Sequence, residues 1–197
     1  FAAGASLLED QVFRFVKKLI ALKAQPWYEK ERGGISVRQL ERLMEGPLPD
    51  GYKDMLAAYE NGIAFDETIS YRPTEPSPWA TQGEKKQYLD FFYGLNNGVG
   101  GLKGAMETYR DRIPYQSMPI AEAPGGNVII LSVGAGDYGC VYLWDHEGDT
   151  SGIDASGVGR NVYLISRSFE EFILGLTGEA DSVPTDVPGL KSMRLDF

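Results

Sequence analysis

The chain has 197 residues, with 19 lysines and arginines against 28 aspartates and glutamates, a formal net charge of −9. That length suits a single domain with a sizeable buried core, and a 43% apolar composition is too hydrophobic for a disordered chain. The acidic balance argues against a nucleic-acid backbone, whose recognition takes clustered Lys and Arg, and is compatible with a basic protein partner.

The acids are unevenly placed. Residues 1–60 carry nine bases and nine acids, residues 61–117 carry six and seven, and residues 118–197 carry four and twelve. Nearly all of the excess therefore falls in the last 80 residues. Cys140 is the single cysteine, so no internal disulfide can form; a reducing, cytoplasmic location is expected. No apolar run approaches the roughly 20 residues of a membrane span. Charges interrupt the first apolar positions, unlike a signal peptide.

Ser6-Leu-Leu-Glu9 reads as a capping box, and Leu8, Val12, Phe15, Val16, Leu19 and Ile20 follow at helical spacing. A helix is expected over about 7–24, ended before Pro26. Ser36-Val-Arg-Gln39 is a second capping box, and Gly46-Pro47 stops its helix. Pro49 opens a third, with Tyr52, Met55, Leu56 and Tyr59 as its apolar stripe and Asn61-Gly62 as its stop. Short β-prone pieces follow at Ile63, Phe65, Ile69 and Tyr71, then a long proline-rich loop over 72–84. Tyr88 to Tyr93 reads as one strand, apolar on both faces except at Asp90. Leu102, Ala105, Met106 and Tyr109 read as a helix. Residues 118–121, 127–133 and 139–144 read as strands joined by short glycine turns, which favour antiparallel pairing. Residues 145–160 form a polar loop, 162–165 a further strand, and Ser168-Phe-Glu-Glu171 caps a last helix through Leu176. Residues 177–197 are expected to be a loosely held tail. The order predicts an α+β fold with a mainly antiparallel sheet.

Reactive constellations are weak. Cys140 and His146 stand six residues apart, about 20 Å along a straight strand, whereas a nucleophile and its base need about 3 Å. Asp145, Glu147 and Asp149 begin like a calcium loop, but Thr150 and Ser156 stand where that motif needs Gly and Glu. Gly98-Val-Gly-Gly-Leu-Lys-Gly104 matches neither common phosphate-loop pattern, because Lys103 replaces the required glycine. No acid pair stands out for glycoside chemistry. No catalytic residue, metal or cofactor is assigned.

One order of features is more specific: Leu48-Pro49 opening a helix with Tyr52 and Leu56; Asn61-Gly62; Pro119-Ile120-Ala121; Gly125-Gly126-Asn127-Val128-Ile129; Gly139-Cys-Val-Tyr-Leu-Trp-Asp-His146; and Ile165-Ser166 before Ser168-Phe169 and Phe172. From about residue 36 to 176 the chain resembles the SUKH superfamily, the Smi/Knr-like proteins. Ile63 stands where many members carry a further glycine. The resemblance implies a strongly bent antiparallel sheet and divides the chain into an N-terminal helix and connector (1–34), a SUKH-like domain (35–176) and a tail (177–197). It also implies no enzyme. Bacterial members are mostly immunity proteins that bind a contact-delivered toxin, often a nuclease, and fungal members are regulators tied to cell-wall synthesis.

The leading expectation is therefore a toxin-neutralising protein that meets a basic partner, with neither nucleic acid nor membrane as a target. The expected contact residues are Asp137 and Tyr138 on one turn and Asp145, His146, Glu147, Asp149 and Asp154 after Trp144, aromatic groups beside acids. A regulatory scaffold using the same face is the second expectation. A small-molecule binder with the 72–84 loop as a lid over Trp79, Tyr88 or Tyr93 is the third.

Overall fold

In the computed structural model the described residues are 14–27, 34–147 and 161–179. Helix α1 covers 14–21 and buries Phe15 and Leu19, with Leu22 just beyond it; the predicted start at 7–13 lies outside the described residues. The short strand β1 (Gln25–Pro26) then pairs with β2 (Ile63–Ala64), so the N-terminal segment joins both core and sheet. Helix α2 (Val37–Leu43) starts at the predicted capping box: Gln39 N–H donates to Ser36 Oγ, and Ser36 N–H donates to Gln39 Oε1 at 2.8 Å. Helix α3 (Asp50–Ala58) follows Pro49, whose φ of −54° is already near helical. It buries Tyr52, Met55 and Leu56. Gly62 ends the segment at φ +88°, and a Cβ there would overlap the Phe92 carbonyl oxygen, so only glycine fits.

Two antiparallel sheets result. The larger has the order β1-β2-β5-β6-β7-β8-β9, with β5 Phe91–Phe92, β6 Ser117–Ala123, β7 Asn127–Ser132, β8 Val141–Trp144 and β9 Val162–Ser166. The smaller has the order β10-β3-β4, with β3 Ile69–Tyr71, β4 Gln87–Leu89 and β10 Thr177–Gly178. Helix α4 (Leu102–Thr108) crosses against β6, and α5 (Phe169–Leu174) packs on α3.

Two elements differ from the sequence reading. The stretch 88–93 is split between sheets: β4 pairs with β3, the Asp90 N–H turns to the Glu122 carbonyl at 2.9 Å, and β5 then pairs with β6. The apolar pattern alone cannot show that switch of partner. The expected tail also begins as strand, because Thr177 and Gly178 pair with Ser70 and Ile69.

All six positions of β7 are buried, as a central strand covered on both faces requires. Ile129 and Leu131 join the main core with Tyr52, Leu56, Phe169 and Phe172. Val128 and Ile130 face the other way, into a smaller cluster with Ile113 and Trp144. Each such side chain contributes about 1.5–3 kcal/mol on burial. Arg112 lies over the Trp144 ring, 5.1 Å from its centroid. The start of the long loop 72–84 borders β9. Thr74 and Glu75 donate backbone N–H groups to Ile165 and Leu164, and the Glu75 carboxylate accepts the Leu164 N–H at 3.1 Å. Among the described residues no helix is long and apolar enough to cross a membrane.

Candidate functional site: two ends of strand β8

Strand β8 separates the expected contact residues into two groups about 13 Å apart, four residues at roughly 3.3 Å each. At its N-terminal end, Asp137 is occupied by the turn itself. Ser132 Oγ donates to Asp137 Oδ1 at 2.6 Å and the Tyr142 hydroxyl to Oδ2 at 2.8 Å. Burial, then the bond to Asp137, raises the Tyr142 hydroxyl above its ordinary pKa. Both carboxylate oxygens thus close the hairpin.

Tyr138 is different: it is 45% exposed. Partial burial raises its hydroxyl pKa, with Lys53, Asp50, Glu41 and Glu170 as the charged groups that act on it. Lys53 Nζ lies 2.7 Å from Asp50 Oδ1 and 3.9 Å from Glu41 Oε1. Asp54 joins them, its carboxyl raised by burial and then by the charge of Asp50, with Glu170 adding to it. Asp50 and Glu41 thus pair with the Lys53 ammonium beside an exposed phenol ring that Glu170 also acts on, and Asp54 adjoins Asp50 and Glu170. Three of these carboxylates come from α2 and α3 and one from α5, so only the fold assembles the group.

At the other end, Asp145 is 7% exposed and its Oδ1 accepts the Glu147 N–H at 3.1 Å, a local turn. The His146 N–H donates to Asn127 Oδ1 at 3.3 Å, and the same oxygen faces His146 Nδ1 at 3.2 Å. Asn127 Nδ2 donates to the Pro124 carbonyl. Its Oδ1 is thus the acceptor, which places the His146 proton on Nδ1. The imidazole lies against Gly126 and the Trp79 ring against Gly125; a Cβ on either glycine would stand 3.3 Å from the nearest ring atom. Glu147 is exposed. Asp149 and Asp154 lie outside the described residues.

The weaker motifs are accounted for by structure. Cys140 and His146 sit beyond opposite ends of β8, and Cys140 Sγ contacts the Arg167 carbonyl at 3.6 Å. The glycine-rich turn spends its N–H groups internally: Gly98 donates to Asn96 Oδ1 and Gly101 to the Gly98 carbonyl. Tyr93 is core and its hydroxyl donates to Glu122 Oε2 at 3.0 Å. Trp79 and Tyr88 are exposed, so the three rings do not line one pocket. Among the described residues no group of three or more metal-ligating side chains occurs.

The sequence reading did not single out Glu41, Asp50 and Asp54, which lie in a segment whose charge is balanced, nor Glu170, which it read only as part of a helix cap. It also did not single out a cleft of about 450 Å³ where the two sheets diverge, lined by residues 65–68, 88–90 and Pro124.

Known proteins place this geometry. A family model described as SUKH_6, SMI1-KNR4 cell-wall, matches residues 36–173. The chain is also 34% identical over 168 residues to the SPbeta prophage-derived uncharacterized protein YokK of Bacillus subtilis (strain 168), covering 81% of this chain and 82% of that protein. With the family model spanning the chain from the cap of α2 through strands β2 to β9 and nearly all of α5, the chain belongs to the SMI1-KNR4 (SUKH) family.

Proposed function

We propose that the protein is a non-catalytic immunity protein that binds and neutralises a basic, contact-delivered toxin. The observation that carries this reading is the exposed Tyr138 ring with the carboxylates of Asp50, Glu41 and Glu170 and the Lys53 ammonium acting on it. A nuclease is basic around its substrate groove, and an acidic face steers toward such a surface and raises the association rate. An aromatic ring that keeps two rotatable bonds and a polar tip is a common anchor at the centre of such contacts. Family membership supports the reading, since its bacterial members are mostly of this kind.

The test is co-expression with the product of a toxin gene neighbouring this one. Suppressed killing and a co-purifying complex are expected, with Tyr138→Ala and Asp50→Lys each weakening the complex at least tenfold. Unchanged killing with no complex would overturn the reading. The cell-wall description of the matching family supports a second reading, a regulatory module using the same face for a host protein; protection from the toxin separates the two.

A further inference from the structure

Two of the large apolar side chains left in solvent stand on the rim of one cleft. Leu43, at the end of α2, is 61% exposed, and Tyr115, in the turn before β6, is 74% exposed. The cleft holds about 520 Å³ between the end of α2 and the segment 103–119. Its floor is apolar, with Ile35, Met44, Ile113 and Pro119 buried there. The Tyr115 hydroxyl donates to Glu45 Oε2 at 3.2 Å, so the ring is tied to the far side of the cleft from its own turn. The face thus carries apolar knobs beside an apolar hole, and an exposed apolar patch rimmed by charge is the mark of a contact surface.

The charges around the cleft are of both signs. Glu45, Glu107 and Asp111 line it with Lys103 and Arg110, and Arg42 lines the groove that continues it past Leu43. Three acids therefore stand among three bases on a chain whose net charge is −9. Among the described residues none of the six makes an ion pair. Two copies of so acidic a chain repel each other over most approaches, and least where the facing charges balance. A surface with equal numbers of each sign is also complementary to itself.

We propose that this cleft receives the same face of a second copy of the chain, with Leu43 and Tyr115 of each protomer entering the cleft of the other about a two-fold axis. Such a contact uses one patch twice, so knob, hole and both signs of charge are all matched by the partner copy, and it closes at two chains. The apolar centre supplies the affinity, and the bases of one rim against the acids of the other fix the register. Tyr138 does not line the cleft, so the proposal stands or falls apart from the reading of a toxin partner.

Sedimentation velocity of the full chain, over a series from micromolar to near-millimolar concentration, tests it. A reversible shift to twice the mass of one chain is expected. Tyr115→Ala and Leu43→Asp are each expected to raise the dissociation constant at least tenfold, while Ile20→Ser, at an exposed apolar residue outside the cleft, leaves it unchanged. A chain with Lys103→Glu and Arg110→Glu, and another with Glu107→Lys and Asp111→Lys, are each expected to stay monomeric alone and to pair when mixed. The mass of one chain at every concentration would overturn the proposal and hand the cleft to a different protein or a small molecule. A dimer that survives both Tyr115→Ala and Leu43→Asp would overturn it by moving the contact to another face.

Discussion

At the scale of single residues, the same carboxylate chemistry serves two opposite ends. Asp137 spends both oxygens on Ser132 and Tyr142 and belongs to the turn. Asp54 has no such donors and is pressed by burial and by Asp50. Its carboxyl is raised from 3.8 in the folded protein, so folding favours the protonated form. The penalty is present once pH exceeds the folded value, and it disappears as pH falls below the unfolded one. Asp54→Asn is therefore expected to raise the melting temperature at pH 7, with the difference from the parent protein shrinking toward zero below about pH 3.8. Equal melting temperatures across that range would contradict the burial and the Asp50 charge acting on Asp54.

At the scale of elements, local rules carried far. The Ser36 box and the Ser168 cap each place a helix start where the structure has one, because an N-cap side chain satisfies backbone donors within four residues of sequence, and Pro49 does so through its fixed φ. Ser36→Ala is expected to cost about 1 kcal/mol in a urea melt. Because α2 also positions Glu41, the variant should weaken the complex as well; a loss under about 0.3 kcal/mol would show that packing alone holds α2. Non-local choices were not legible. Nothing in the pattern of 88–93 says that the chain changes partner at Asp90, since both sheets accept apolar residues on both faces. Nor does a count of acids say where they gather. The excess in the last 80 residues pointed to the turns flanking β8, while the strongest described crowding takes Glu41, Asp50 and Asp54 from the charge-balanced first third and only Glu170 from the acidic end. The order of short motifs was the better guide to the whole, because turns and caps at fixed intervals describe a topology.

At the scale of the whole molecule, a net charge of −9 would make encounter with the proposed basic partner a long-range event. The association rate is expected to fall at least tenfold between about 0.02 and 0.5 M salt, as the Debye length shrinks from about 20 to 4 Å, while dissociation changes little. Stopped-flow mixing of the complex partners reads both rates; a salt-independent association rate would remove steering from the account.

The border that Thr74 and Glu75 form along β9 has a consequence of another kind. An open strand edge is a template on which further chains can add, and it is the usual origin of stacked aggregates. Here the backbone groups of Leu164 and Ile165 are already taken, one of them by a side-chain carboxylate that carries charge to the rim. Glu75 therefore keeps the protein soluble against itself at high concentration, because the edge offers a newcomer a negative charge in place of a vacant ladder.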